Sequence, residues 1–461
     1  MAHYMKKQQK QAGIQAKLLF KSIDLPTHGT DTLRHIGVTM SAQVVRFTAQ
    51  TIATIVLARL LAPADFGFIA MVAVLINFVA TIKTAGLAHA TVQRDDITQH
   101  QISCLFWINL AVSTSLAIIV VVSAPVIAWI YDEPRLTSLA IVLAIPVMLS
   151  GLGLQHRALL HRNMRFLDVA RAEILAVIFG KVVGIYFAYK GFGYWSLAIM
   201  QIADTATSTV LLWEKTRWRP MWVLRGEGVR SMLRFGANLS GFNILNYFAR
   251  NADNFLIGKF IGAEALGFYS RAYGLMLMPL QQLNAPLSKV LMPTLARFQH
   301  DPGAFSQQFL KYIKTIAWMT AVPTAVLSIF GQEVVTFLLG EDWKKAGEIF
   351  EWLAIAGMFQ PLGNIMGIVL VALGKTDKML RWGAISSFCI VSSFIIGLPF
   401  GSIGVAMMYA VSTNIVLILQ PFYIARITDF ICTNRYFAAI KLPALIAITF
   451  VIISRMKVIG I

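Results

Sequence analysis

Two runs of polar side chains sit inside apolar sequence at helical spacing. Gln43, Arg46, Gln50 and Thr54 recur every three or four residues. Asn243, Asn246, Arg250 and Asn254 repeat the pattern two hundred positions later, with Asp253 beside them. Such spacing places side chains on one face of a helix. Arginine keeps its charge and presents a planar fork of donors that matches phosphate and carboxylate. An ionisable residue within a membrane span costs about 2.5–3.5 kcal/mol on insertion scales and faces the bundle interior or a watery cavity. The two stripes therefore predict one shared cationic, amide- and hydroxyl-lined cavity for an anionic, polar ligand. A site for organic cations would instead want carboxylates and aromatics. Arg271, Gln282, Ala285 and Lys289 form a further stripe on the next span, and Lys181 and Asp204 are additional buried candidates. Simpler roles compete with this reading: Arg250 and Asp253 as a structural i,i+3 pair, and Lys181 and Lys289 as snorkelling side chains.

The elements that must position these residues are membrane helices. The chain has 461 residues, 57% hydrophobic and 13% charged, against about 25% charged in an ordinary soluble domain. Spans of about 20 mainly apolar residues are predicted at 36–58, 66–85, 103–131, 136–155, 169–189, 194–213, 236–258, 265–293, 312–339, 347–373, 382–400, 402–425 and 437–455. The fold class is an all-α polytopic membrane protein of two pseudo-symmetric six-helix bundles, with a thirteenth C-terminal segment that either spans or is re-entrant.

The net charge of +18 would point to nucleic acid in a soluble protein. Here 27 of the 40 Lys and Arg residues fall in alternate segments, beginning with 1–35, and six in the intervening loops. That bias predicts a cytoplasmic N-terminus and accounts for the charge without nucleic acid. Residues 6–25 form either a basic interfacial helix or a disordered basic tail. A basic linker, 214–234, separates an N-terminal lobe (36–213) from a C-terminal lobe (235–425), and 426–461 follows. The lobes resemble each other: "ATIVLARLLAPADFGFIA" (53–70) aligns without gaps with "DNFLIGKFIGAEALGFYS" (253–270), and "FGYWSLAIM" (192–200) with "FGSIGVAMM" (400–408). Six spans per lobe give a pseudo-twofold axis along the membrane normal.

Enzyme signatures are missing. No GxxxxGK[ST] or GxSxG motif occurs, the histidines lack HExxH spacing, and Cys104, Cys389 and Cys432 are scattered. No cofactor or metal is expected. Asp95–Asp96, Asp132–Glu133 and Glu341–Asp342 read as solvated loop charge. Pro125, Pro146, Pro279, Pro286, Pro323 and Pro361 fall inside predicted spans, where neighbouring helices tolerate kinks.

"LARLLAPADFGFIAMV" (57–72), "GLAHATVQRDD" (86–96), "LLHRNMRF" (159–166) and "NFLIGKFIGAEALGFYSRAYGLMLMPLQQL" (254–283) resemble the polysaccharide transporter family. These are Wzx-type flippases of O-antigen and exopolysaccharide, within the multidrug/oligosaccharidyl-lipid/polysaccharide exporter superfamily. The resemblance implies an inner-membrane flippase with two lobes around a central cleft. Its substrate would be a polyprenyl-diphosphate-linked oligosaccharide. Arg46, Arg250 and Arg271 would then hold the diphosphate or acidic sugars, and Gln43, Gln50, Asn243, Asn246 and Asn254 the sugar hydroxyls. Asp253 either orients Arg250 or, like Asp204, serves ion coupling. Membrane lipids, and a polysaccharide polymerase and glycosyltransferases, are the expected partners. The rivals are a cation-coupled multidrug exporter on the same scaffold, a membrane polysaccharide polymerase or glycosyltransferase, and a non-transporting scaffold.

Overall fold

The computed structural model describes residues 29–84, 97–223, 247–248, 250–428 and 430–459. Among them lie α1 (Gly29–Leu60), α2 (Pro63–Thr84), α3 (Gln99–Tyr131), α4 (Arg135–Arg162), α5 (Phe166–Tyr189), α6 (Tyr194–Thr216) and α7 (250–260). The order continues with α8 (Ala263–Arg297), α9 (Pro302–Leu339), α10 (Lys344–Gly357), α11 (Gln360–Ala372), α12 (Thr376–Gly397), α13 (Gly401–Ala425) and α14 (Thr433–Ile459). Eight segments of the described chain are long and apolar enough to cross a membrane. Many helices are apolar all round, as lipid-embedded helices are. On α3, for example, Val122 and Trp129 are exposed while Val120 and Ala124 are buried.

Helix ends are marked by the sequence. Thr98 and Gln101 form a reciprocal capping box before α3, worth about 0.5–2 kcal/mol for the cap alone. Asp301 caps α9 through Ala304 N–H at 3.0 Å, with Pro302 opening the first turn, where its missing N–H costs nothing. The expected span 347–373 is two helices. The chain breaks at Met358–Phe359 between α10 and α11, within one apolar segment, Glu341–Ala372, and Pro361 sits in the first turn of α11 rather than within a continuous helix, because proline cannot donate to the preceding turn. Helix α1 begins at Gly29, seven residues before the expected start of the first span at 36.

The chain forms two compact units. The first comprises Met71–Phe248 and the residues up to Ala62; the second comprises Pro63–Ala70 and Ala249 onward. In the first, α5 presents Ala172, Ala176, Gly180, Gly184 and Ala188, all buried and four apart. Small residues let membrane helices approach closely: a Cβ on Gly180 would stand 2.8 Å from Asp204 Cβ, and one on Gly184 2.8 Å from Met200 Cβ, both on α6. Helices α3 and α4 meet the same way, Gly151 against Ser113. The start of the 214–234 segment is bound to this unit. Trp218 is buried among Ile97, Ile102 and Phe106, donates to Gln99 Oε1 at 2.6 Å, and is followed by Met221, whose N–H reaches Ser103 Oγ at 3.0 Å.

In the second unit, α9 runs 38 residues, with a kink at Phe330. Phe305, Phe309, Ile313 and Ile316 near its start join Leu291, Leu295, Ile365, Val369, Ile424 and Tyr436 in one core. The first turns of α2 and α8 cross in this unit with backbone against backbone. A side chain on Gly67 would overlap the Ala263 carbonyl, and one on Gly267 would overlap the Pro63 carbonyl. Buried Trp343 lies edge-on to Phe66 and to Phe268, with centroids 5.3 and 5.9 Å away.

Candidate anion-binding site

In the first unit, the exposed face of α1 carries Gln43, Arg46 and Gln50. Thr54 is buried and turns its hydroxyl to Gln50 O at 2.8 Å. Arg46 does not stand alone. Its Nη1 bonds Glu173 Oε2 on α5, and Glu173 Oε1 lies 3.3 Å from Arg157 Nη1 on α4. One carboxylate thus bridges two guanidinium groups from two other helices. The arginine side chains are each 44% exposed and Glu173 only 20%, so the cations remain reachable while the bridging anion is covered. Asp204 on α6 and Lys181 on α5 belong to the same electrostatic neighbourhood, since Lys181, Arg46, Glu173 and Arg157 all act on Asp204. His161, at the end of α4, feels Arg157 and Glu173. Close packing of α5 on α6 at Gly180 brings Asp204 there, and Lys181 Nζ points to Met200 Sδ at 3.6 Å. Two arginines and a lysine against two carboxylates leave an excess of positive charge, partly open to solvent.

In the second unit, Arg250 is exposed on α7 and Asp253 is buried. Among the described residues no ion pair joins them. Asp253 is held instead by Tyr269 Oη, which donates to Oδ2 at 2.9 Å, and by the Asn254 N–H, which donates to Oδ1 at 2.7 Å. Tyr273 stacks on Tyr269 at 5.9 Å and meets Tyr409 at 6.2 Å. The i,i+3 pairing that the sequence offered is therefore replaced by a tyrosine-lined pocket around one carboxylate. Arg271 places its guanidinium 4.8 Å from the Phe66 ring centroid, a cation–π contact, and its Nε is buried without a hydrogen-bond partner. Asn243, Asn246 and the side chains of Gln282, Ala285 and Lys289 lie outside the described residues.

Three features escaped sequence reading. Arg157 sat in a segment counted as a charged loop. Glu173 stood four residues inside a predicted span, an unmatched carboxylate in apolar sequence that was itself the signal. His156 is fully buried beneath Trp213, Trp218 and Phe106, with ring centroids 4.3, 5.2 and 6.2 Å away. Its Nδ1 lies 2.6 Å from Thr216 Oγ1, and its Nε2 has no partner. A search for metal-ligand spacing could not have found it.

Residues 56–348 match the family described as "Polysaccharide biosynthesis protein". The chain is 28% identical over 391 residues to the teichuronic acid biosynthesis protein TuaB of Bacillus subtilis (strain 168), covering 82% of this chain and 78% of that protein. It is 24% identical over 406 residues to the lipopolysaccharide biosynthesis protein WzxC of Escherichia coli (strain K12), covering 87% and 82%. Among solved structures, the lipid II flippase MurJ in an inward closed conformation superposes with a TM-score of 0.70 at 12% identity, covering 92% of this chain and 98% of that one. That likeness is one of fold: a multi-pass bundle of membrane helices. With the family match spanning well over half its length, this chain belongs to the polysaccharide biosynthesis protein family.

Proposed function

We propose that this protein is a flippase of the bacterial inner membrane. It would carry a polyprenyl-diphosphate-linked oligosaccharide from the cytoplasmic to the outer leaflet during surface polysaccharide synthesis. It makes and breaks no bond of its substrate, and its N-terminus faces the cytoplasm. The observation that carries this reading is the Arg46–Glu173–Arg157 bridge: two half-exposed guanidinium groups from α1 and α4 converge on one carboxylate of α5. Paired guanidinium forks suit adjacent phosphates. Gln43 and Gln50, exposed on the same face as Arg46, would bond sugar hydroxyls. Arg250 and Asn254, with Asn243 and Asn246, are the proposed substrate contacts of the C-terminal lobe. The polyprenyl chain would stay in lipid. Asp253, in its tyrosine pocket, and Asp204 are the proposed coupling-ion positions. Release to a polymerase and loading by glycosyltransferases would complete the cycle.

The test is complementation of a strain lacking the gene with Arg46→Ala, Arg157→Ala and the double variant, at matched membrane protein levels. Loss of surface polysaccharide with lipid-linked repeat units accumulating inside is expected. Full complementation by the double variant would overturn the reading in favour of a scaffold. Export of cationic dyes indifferent to both arginines would favour the multidrug exporter.

A further inference from the structure

The arginines of the proposed site are already occupied by Glu173. Its two oxygens take Arg46 from α1 and Arg157 from α4, as two oxygens of a bound ligand would. The other ionisable groups around it are His161 on α4, Asp204 on α6 and Lys181 on its own helix, the last acting on Asp204. Nothing else in that circle is a carboxylate shared by two guanidinium groups. We infer that Glu173 is a built-in competitor that sets a charge threshold for entry: a ligand is admitted only if it offers the two arginines more negative charge than one carboxylate does. This rests on the reading of the site as a receptor for an anionic lipid headgroup.

The physical argument is one of exchange. A diphosphate diester carries two charges on adjacent phosphates and can engage both guanidinium groups at once. A phospholipid phosphodiester carries one. It would replace one anion by another and gain no charge on the arginines; either ligand leaves Glu173 unpaired, a cost for a part-buried charge that only the second charge of the dianion offsets. The arginines are the more exposed members and Glu173 the more covered, so a headgroup reaches the cations first and Glu173 is displaced by rotation about its own side chain. The excess of phospholipid over polyprenyl diphosphate in a membrane makes such a threshold necessary for a carrier whose site opens to lipid. The same pairing offsets one of the two positive charges when the site is empty, so the unloaded carrier reorients with less bare charge.

The experiment titrates the full-length protein in nanodiscs with two probes: a farnesyl-diphosphate-linked N-acetylglucosamine, which is a dianion, and dioctanoyl phosphatidylglycerol, which is a monoanion. Unfolding midpoints confirm that each variant is folded. Wild type is expected to prefer the dianion by at least about 100-fold, and Glu173→Gln to narrow that preference to within about tenfold by binding the monoanion more tightly. Glu173→Asp retains the wild-type preference. An unchanged ratio in Glu173→Gln, with dianion binding still lost in Arg46→Ala, overturns the threshold and leaves the functional reading standing. Equal weakening of both probes in Glu173→Gln also overturns it. A wild type that binds neither probe, or binds both as Arg46→Ala does, overturns the functional reading as well.

Discussion

Gly67 and Gly267 stand in reciprocal positions, each missing side chain replaced by a carbonyl of the other helix, Ala263 for one and Pro63 for the other. They are related by the same two-hundred-residue offset that aligns the lobes in sequence. A backbone oxygen cannot turn aside as a side chain can. Gly67→Ala and Gly267→Ala are each expected to push the first turns of α2 and α8 apart, at the cost of about 1–3 kcal/mol typical of overpacking. Because one substitution already separates the pair, the double variant should cost clearly less than the sum. Thermal unfolding in detergent measures this, and strict additivity would show that the two contacts are independent.

The Glu173 bridge is expected to matter little for stability. Its arginines are each 44% exposed, and pairs of that kind contribute about 0–1 kcal/mol. Glu173→Gln should therefore unfold within a few degrees of wild type, while ligand preference changes. A collapse of the fold would mark the bridge as structural.

Asp253 makes the opposite prediction. It is 2% exposed and takes the Tyr269 hydroxyl at 2.9 Å. Tyr269→Phe removes one donor from a buried carboxylate, a loss of about 1–3 kcal/mol. The loss should shrink when Asp253→Asn is combined with it, because the charge that needed the donor is gone. A double-mutant cycle on unfolding midpoints reads the coupling.

Cys432 is exposed just before α14. The Arg435 N–H, with the Asn434 N–H and the Arg435 charge, holds its thiol below the usual range, as helix N-termini do. A lowered value keeps the thiolate present at lower pH. Maleimide labelling of Cys432 should therefore outpace that of a free cysteine near neutral pH, and equal rates there would show that the thiol is unshifted. In intact cells an impermeant maleimide should leave Cys432 unlabelled, since 426–441 is expected on the cytoplasmic side. Labelling there would reverse the proposed topology.

The spans were legible because lipid demands long apolar runs. Phe166–Tyr189 and Gly401–Ala425 fall within three residues of the expected 169–189 and 402–425, and both lie in segments apolar enough to cross a membrane. The break at Met358–Phe359 was missed, since hydropathy records apolarity and not hydrogen-bond continuity, although Pro361 was in view. Arg46 could be chosen from its spacing, yet its partner lies 127 residues away, and no local pattern connects them. The reading weighed Arg250 and Asp253 as an i,i+3 pair because they are neighbours along a helix. In the fold, Asp253 is buried and bonds the Tyr269 hydroxyl, while exposed Arg250 acts on it only through its charge. The small-residue face of α5, which delivers Asp204 to the arginine cluster, was present in the sequence as a four-residue rhythm of Ala and Gly.

Helix α9 has 38 residues with a kink at Phe330, and its path adds up to about 57 Å at 1.5 Å per residue, nearly twice the roughly 30 Å of a hydrocarbon layer. The surplus turns at its Pro302 end are seated among Leu291, Leu295, Ile424 and Tyr436, so protein rather than lipid holds them. A membrane can thin or thicken around this helix without unseating that end. Hydrophobic mismatch then falls on the shorter helices, and α9 serves as a ruler whose length the bilayer does not set.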